Sequence, residues 1–174
     1  MMMKPMTPTF PITILSGGQT GVDRGALDAA LELGFPCGGW CPPGRLDEEG
    51  TIPDRYPLRE MAQGGYKART LQNLKEADGT LIVHFGDLEG GTELTVFHCM
   101  QSRRPYRLID GWEITPERAA ELALDFVQRR HLRTLNVAGP RASRRAEAQA
   151  YAYTMIRGLL ERMGGKEEMG KAES

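Results

Sequence analysis

Short apolar runs alternate along the chain with longer, regularly spaced apolar stripes. The runs are typical of buried strands, and the stripes recur at the spacing of a helix with one buried face. The predicted strands cover residues 12–15, 35–40, 80–85, 106–109 and 134–138. The predicted helices cover residues 22–33, 66–76, about 92–100, 116 to at least 127, and 143–163. This alternation predicts a single α/β domain of three layers, with a mostly parallel sheet of about five strands.

Two helix starts carry capping signals. Thr115-Pro116-Glu117 combines a capping hydroxyl, a proline at the first helical position and an acid in the first turn. Thr92 is predicted to be the N-cap of the helix after the third strand. The last helix is predicted to face the core with Ala146, Ala150, Tyr153, Ile156 and Leu160.

The pattern also indicates where the domain begins and ends. Residues 1–10 are predicted to form a flexible N-terminal arm, residues 11–163 the ligand-binding domain, and residues 164–174 a disordered tail. Between residues 41 and 65 the chain is rich in Pro, Gly and charge and has no clear periodicity. We expect an ordered loop over the site, anchored by Tyr56, Leu58 and Met61.

Composition narrows the class of protein. The chain has 174 residues, enough for one domain with a substantial core. A formal net charge of −1 gives no support to nucleic-acid binding. We expect neither a signal peptide nor a membrane span, because no long apolar run is present. The three cysteines predict reduced thiols and a cytoplasmic location.

The most informative stretch is the glycine-rich turn between the first strand and the first helix. Gly17, Gly18 and Gly21 permit a tight turn, and backbone N–H groups at a helix start favour an anion such as phosphate. An aspartate at Gly18 would therefore be expected to weaken anion binding. The alternative is that these glycines serve only the turn. The glycines are surrounded by polar residues that a plain turn does not need: Ser16, Gln19, Thr20, Asp23 and Arg24.

Two further glycine-rich turns follow the third and fifth predicted strands. Parallel strands end at one sheet edge, so we expect all three turns to converge there. Arg24, Arg45, Arg69 and Arg141 could each bind phosphate oxygens, or could be ordinary surface arginines. Arg69 and Asn73 share a polar helix face with Tyr66 and Thr70, which could equally be a solvated face. The turns and this face add the candidates Arg45, Arg69, Asn73, Gly90, Gly91, Thr92, Glu93, Gly139, Pro140, Arg141 and Ser143.

Several common chemistries lack their signature. The first turn has the spacing G-G-x-x-G, which differs from the dinucleotide-binding G-x-G-x-x-G, and it has no lysine of the P-loop type. Cys37 and Cys41 do not have the spacing of a zinc site. No G-x-S-x-G elbow is present, which argues against an α/β-hydrolase triad. We therefore predict no metal ligands and no catalytic residues.

Residues 16–24, 39–45, 66–73, 77–80, 90–92 and 136–143 form an ordered set of short motifs. Together they resemble the putative molybdenum carrier family, which is similar to a circularly permuted branch of the YpsA-like and LOG-like Rossmannoid proteins. The resemblance covers about residues 11–161 and implies a single Rossmann-like domain. It also implies a ligand held at the glycine-rich strand ends.

The resemblance implies a non-catalytic carrier that binds molybdenum cofactor (molybdopterin) or another phosphorylated, nucleotide-like small molecule. The alternative is a LOG-like phosphoribohydrolase of nucleoside monophosphates, with Glu93 or Asp23 as its acid. LOG-like enzymes carry a catalytic Glu three residues after the turn threonine, and this chain has Thr95 there. Rossmannoid relatives commonly associate, so we expect a homo-oligomer, a dimer or tetramer, formed through Tyr151 and Met155.

Overall fold

A computed structural model describes residues 12–164 of the chain. The N-terminal arm expected at residues 1–10 lies outside the described residues, and so does the tail expected beyond Gly164. The extent of the domain at both ends therefore remains a prediction.

Nine strands and five α-helices make up the described part of the chain. The strands are β1 (Thr13–Leu15), β2 (Cys37–Gly38), β3 (Trp40–Cys41), β4 (Leu46–Asp47), β5 (Gly50–Thr51), β6 (Arg59–Glu60), β7 (Gly79–His84), β8 (Tyr106–Asp110) and β9 (Thr134–Ala138). The helices are α1 (Val22–Leu33), α2 (Tyr66–Glu76), α3 (Gly90–Ser102), α4 (Pro116–Arg130) and α5 (Ala148–Arg162). A 3₁₀ turn covers Pro43–Arg45.

The central sheet has five strands in the order β2-β1-β9-β7-β8, all of them parallel. Since the strands run the same way, their carboxyl ends share one edge of the sheet. The α/β class and the five-strand parallel sheet predicted from the sequence are confirmed. Strands β1, β9 and β7, which precede the three glycine-rich turns, are neighbours at the centre of the sheet.

Helices cover both faces of the sheet. The main core lies under α1, α4 and α5 and includes the predicted buried face of α1 from Val22 to Leu33. Helix α5 packs closely on α1 because Gly25 has no side chain, and a β-carbon there would lie 2.2 Å from the carbonyl oxygen of Gln149. A smaller cluster of Leu74, Ile82 and Cys99 joins α2 and α3 to the other face.

Two local predictions before β8 were wrong. The second predicted strand is split, because Gly39 adopts a positive φ of 132° between β2 and β3. Helix α3 begins at Gly90, and its N-cap is Glu89 without a side-chain hydrogen bond, so Thr92 is not the cap. By contrast, Thr115 accepts a hydrogen bond from the Arg118 amide and caps α4 as predicted.

Helix α5 differs most from its prediction. It begins at Ala148, because residues 139–147 form the turn after β9. Ala146 and Ala150 are exposed, whereas Tyr151 and Met155 are buried in the main core. Alanine occurs both in cores and on surfaces, so Ala146 and Ala150 did not indicate which face of the helix is buried. Tyr151 and Met155 are consequently not a surface through which two copies could associate.

The segment between β2 and α2 is ordered, as expected. Strands β3 and β6 pair in parallel, and β4 and β5 form a small hairpin. Tyr56 and Leu58 are buried beside Ile52, Cys41 and Leu27, whereas Met61 is half-buried outside this cluster. We call residues 42–60 the strap, because they cross the glycine-rich turn that follows β1.

Candidate functional site

A cavity of about 300 Å³ opens at the sheet edge where β1, β9 and β7 end. Its walls come from the three glycine-rich turns, from α2 and from the start of α3. It lies at the low end of the size range typical of small-molecule sites. The lining residues predicted from the sequence are Gly17, Gln19, Asp23, Arg69, Asn73, Gly90, Gly91, Thr92, Gly139, Pro140, Arg141 and Ser143.

Gly17 provides the space in which the Arg69 guanidinium lies. A β-carbon on Gly17 would stand 1.5 Å from Nη1 of Arg69 and 2.7 Å from its Cζ. Arg69 projects from α2 toward the turn that precedes α1. The glycine therefore allows a cation from one wall to reach the turn of the other.

The other two glycines of this turn serve packing. Gly18 has a φ of 76°, and a β-carbon there would lie 2.2 Å from Cδ1 of Leu58 in the strap. Gly21 has a φ of 86°, and its β-carbon would lie 2.3 Å from the carbonyl oxygen of Pro140. For Gly18 and Gly21 the structure supports the alternative that the glycines are needed for the turn itself, since a neighbouring loop packs closely against each of them.

Backbone amides of this turn already have partners within the protein. The Gln19 amide donates to Oδ2 of Asp23 at 3.3 Å, and the Val22 amide donates to the Pro140 carbonyl at 3.2 Å. The Asp23 carboxyl thus occupies part of the position where the sequence suggested an anion. The cationic side chains nearby provide the stronger attraction for a ligand.

Asp23 and Arg69 form a buried ion pair, with Oδ2 and Nη1 3.3 Å apart. Burial raises the pKa of the Asp23 carboxyl, and Arg69 and the Gln19 amide offset this only in part. Arg69 is shared between this carboxyl and the cavity. Its Nε is buried and has no hydrogen-bond partner within residues 12–164.

Arg141 gives the cavity a second cation. Its guanidinium lies 4.2 Å from the ring centroid of Tyr66, whose ring is also 5.8 Å from that of Arg69. In the described part of the chain the Arg141 guanidinium makes no hydrogen bond or ion pair, so its five N–H donors are available. We call Arg69, Arg141 and Tyr66 the cationic wall. Lys67, Arg144 and Arg145 also line the cavity and add positive charge.

Gln19 has a buried oxygen that lacks a donor. Its Nε2 donates to the Leu46 carbonyl at 3.0 Å, which fixes the orientation of the amide. Its Oε1 is buried and has no partner among the described residues. Such an atom is costly to leave unsatisfied, so a ligand N–H or O–H could stabilise the site by binding it.

The turn after β7 contributes the acidic part of the cavity wall. Asp87 and Glu89 line the cavity there, beside Gly90 and Gly91. Thr95 also lines it, and its hydroxyl donates to the Gly91 carbonyl at 2.8 Å. The position expected to hold a catalytic Glu in LOG-like enzymes is therefore a buried threonine in the cavity wall.

The strap is held on the outer side of the first turn by two carboxylates. Asp47 pairs with Arg24 at 2.5 Å, and Arg24 also donates to the Gly18 carbonyl at 2.9 Å. Burial alone would raise the pKa of Asp47, but hydrogen bonds from Arg24 and the Glu49 amide lower it. Glu48 accepts hydrogen bonds from the hydroxyls of Thr20 and Ser143.

Seven predicted site residues do not line the cavity: Ser16, Gly18, Thr20, Gly21, Arg24, Arg45 and Glu93. Arg45 donates to carbonyls of the strap, including those of Pro53 and Tyr56 at 2.8 and 3.0 Å. Asn73 lines the cavity but also bonds the Trp40 backbone, accepting from its amide at 2.7 Å. Glu93 is exposed on α3.

Sequence reasoning missed several lining residues, among them Asn136, Arg144 and Arg145. Asn136 is a buried polar residue inside an apolar strand, where it bonds Thr80 at 3.4 Å. A polar residue in such a strand is itself a signal that could have identified it. Arg144 and Arg145 follow Arg141 in a segment expected to be helical, which concealed their approach to the cavity.

Within residues 12–164, no helix is both long and apolar enough to cross a membrane. The same residues contain no cluster of three or more His, Cys, Asp or Glu side chains that could hold a metal ion. All three cysteines are free thiols. Burial raises the pKa of Cys37 and of Cys99 to about 11.

Comparisons with known proteins agree on one group of relatives. The model of the circularly permutated YpsA SLOG family matches residues 14–160. A crystal structure at 1.45 Å resolution from Syntrophus aciditrophicus SB, of a protein called putative molybdenum carrier protein, is similar to this chain with a TM-score of 0.82. The two sequences are 42% identical, and the match covers 85% of this chain and 94% of the other. No curated protein matches the chain significantly.

Proposed function

This chain belongs to the circularly permutated YpsA SLOG family, and we propose that it binds and carries a phosphorylated small molecule of the molybdenum cofactor type. The name of the Syntrophus protein suggests a molybdenum-related cargo. The chemistry of the cavity suggests where the anionic part of that cargo binds.

The cationic wall is the observation that carries this proposal. The side chain of Arg141 has no hydrogen bond or ion pair within the described residues, and Arg69 has an unpartnered Nε. Both guanidinium groups lie at the ring of Tyr66 in a cavity lined by further cations. Arginine presents a planar set of donors that matches phosphate oxygens, so a phosphate or another oxyanion is the group best suited to this wall.

The remaining lining suits a polar heterocycle attached to that phosphate. A pterin carries ring N–H groups, and one of them could donate to the unpartnered Oε1 of Gln19. Tyr66 and Phe85 offer aromatic surface, and Asp87 and Glu89 offer acceptors on the acidic side. Molybdenum itself would be part of the cargo, and we propose no protein ligand for it.

The hydrolase alternative gains no specific support from the geometry. It requires an acid at the scissile bond, and one of its two candidates, Glu93, is exposed and outside the cavity lining. The other, Asp23, lines the cavity but is paired with Arg69. We therefore favour binding without turnover. Self-association and a cytoplasmic location remain predictions.

Two measurements on the purified full chain separate these functions. Native mass spectrometry would show whether a phosphorylated pterin stays bound, and a nucleoside monophosphate assay would detect release of the free base. We expect retention of the pterin and no base release above a protein-free blank. Base release that disappears in Asp23→Asn, together with no pterin binding, would contradict the carrier proposal.

A further inference from the structure

Asp23 is a buried carboxyl whose charge is weakly stabilised by its neighbours. It is 6% exposed and lines the cavity from the start of α1. Its Oδ2 accepts from the Gln19 amide and from Nη1 of Arg69, both at 3.3 Å, which is long for a hydrogen bond to a charged group. The Ser16 hydroxyl also faces the carboxyl but donates to the Val137 carbonyl at 3.2 Å. Asp23 therefore depends mainly on Arg69 to balance its charge.

Arg69 lies between this carboxyl and the position proposed for the anionic group of the ligand. Its Nη1 is on the Asp23 side, whereas its Nε has no partner within residues 12–164. Arg141, the second cation of the cationic wall, acts on Asp23 through its charge. An oxyanion that binds both guanidinium groups therefore brings negative charge close to the buried carboxylate. When two like charges share a buried site, a group that can become neutral by taking up a proton is driven to do so.

Other charges surround Asp23, and their contribution has to be separated from its own. Arg24, its neighbour on α1, is paired with Asp47 of the strap. The rest of the cavity lining carries further charged or titratable side chains: Lys67, His84, Asp87, Glu89, Arg144 and Arg145. Asp87 and Glu89 are exposed, whereas burial raises the pKa of Asp23 and Arg69 only partly offsets this. Among the acids of the cavity, Asp23 is therefore the one most readily protonated when an anion arrives.

We propose that an oxyanion and one proton bind this site together. As the anion binds the cationic wall, Asp23 takes up a proton from water, and Arg69 is released from the carboxylate to the ligand. This coupling rests on the proposed phosphate site and makes its affinity depend on pH. For an anion of fixed charge, affinity falls about tenfold per pH unit between the pKa values of Asp23 in the free and in the bound protein. A rise in pH therefore favours release of the cargo.

Calorimetric titration of the full chain with sulfate tests the coupling, because sulfate keeps both of its charges from pH 5 to pH 9. Repeating each titration in two buffers of different ionisation enthalpy measures the protons taken up. We expect the wild type to take up as much as one proton per sulfate. Its affinity should fall at least about tenfold across this range.

Asp23→Asn is the decisive variant, since asparagine has nearly the same size and no charge. It should bind sulfate with less proton uptake and a weaker pH dependence than the wild type. Any uptake by His84 persists in this variant, so the difference between the two proteins measures Asp23 alone. Glu32→Gln is the matched control, because it makes the same charge change on α1 at an exposed position outside the cavity. It should behave as the wild type does.

The outcomes separate this coupling from the proposed function. Sulfate binding with equal proton uptake in the wild type and Asp23→Asn would overturn the coupling and leave the anion site standing. It would mean that Arg69 stays with an ionised Asp23 while the anion binds. A chain that binds neither sulfate nor a phosphorylated pterin would contradict the coupling and the proposed function together.

Discussion

Arg69 lies over Gly17 so closely that any side chain on the glycine would displace the guanidinium. The space needed for a β-carbon is taken by Nη1 of Arg69, 1.5 Å from the ideal position. The same nitrogen lies 3.3 Å from the carboxylate of Asp23. One glycine therefore determines whether the cationic wall can form.

Gly17→Ala is expected to weaken anion binding, and by displacing Arg69 from the buried Asp23 carboxyl it should also lower stability. The φ of Gly17 is not positive, so alanine fits the backbone while its methyl group moves Arg69. Losing one charge-assisted hydrogen bond corresponds to about tenfold or more in affinity. Calorimetric titration with inorganic phosphate measures the effect. Gly65→Ala is the control, because its β-carbon meets nothing within 4 Å and it lies outside the cavity.

Gly18→Ala is expected to destabilise the protein without displacing Arg69. Gly18 has a left-handed φ of 76°, and its new β-carbon would collide with Leu58 of the strap. The backbone strain alone costs about 1–3 kcal/mol. Urea unfolding should show a lower midpoint than for the wild type. An unchanged midpoint would mean that Leu58 does not pack on the turn as described.

The contrast between these two glycines shows what the sequence could predict. Periodicity placed α1 and α2 at their observed bounds, and three glycine-rich turns at neighbouring strand ends located the cavity. The sequence did not reveal which group lies beside each glycine. Gly18 faces Leu58, which is 40 residues away along the chain, and only the folded strap brings them together.

The charged residues near the turn show the same difficulty. Asp23 and Arg24 are adjacent in the sequence and equally polar, yet one lines the cavity and the other holds the strap through Asp47. The predicted face of α5 was partly right: Ile156 and Leu160 are buried and Tyr153 packs against the core. Its two alanines are exposed, although they resembled core positions. Contacts that depend on distant segments cannot be derived from local pattern alone.

The stability of Asp23→Asn relative to the wild type should increase as the pH rises. Burial raises the folded-state pKa of Asp23 above its ordinary 3.8, so the folded state binds more protons than the unfolded state in that window. Wild-type stability then falls as the pH rises from 3.8 to the folded-state pKa. Asparagine does not titrate, so the variant lacks this pH dependence. Melting temperatures of both proteins from pH 4 to pH 7 measure the difference. A constant difference across this range would contradict the raised pKa.

Glu48→Ala is expected to loosen the strap. The carboxylate of Glu48 connects the strap to Thr20 and Ser143, which belong to two different turns. Trypsin should cleave after Arg45, Arg55 or Arg59 several-fold faster in the variant, since local opening precedes cleavage. Glu49→Ala is the matched control, because its side chain makes no hydrogen bond or ion pair within residues 12–164. Equal cleavage rates in all three proteins would show that Glu48 does not fasten the strap.

The most direct test of the proposed function is a titration of the full chain with a phosphorylated pterin, before and after Arg141→Gln. The side chain of Arg141 makes no hydrogen bond or ion pair in the described structure, so its replacement should leave the fold intact. Removing its charge-assisted bonds to phosphate should lower affinity by about tenfold or more. Arg129→Gln, on the outer face of α4, is the control. We predict saturable binding that Arg141→Gln weakens and Arg129→Gln does not. Absent binding, or equal affinity in all three proteins, would contradict the proposal that the cationic wall holds the phosphate.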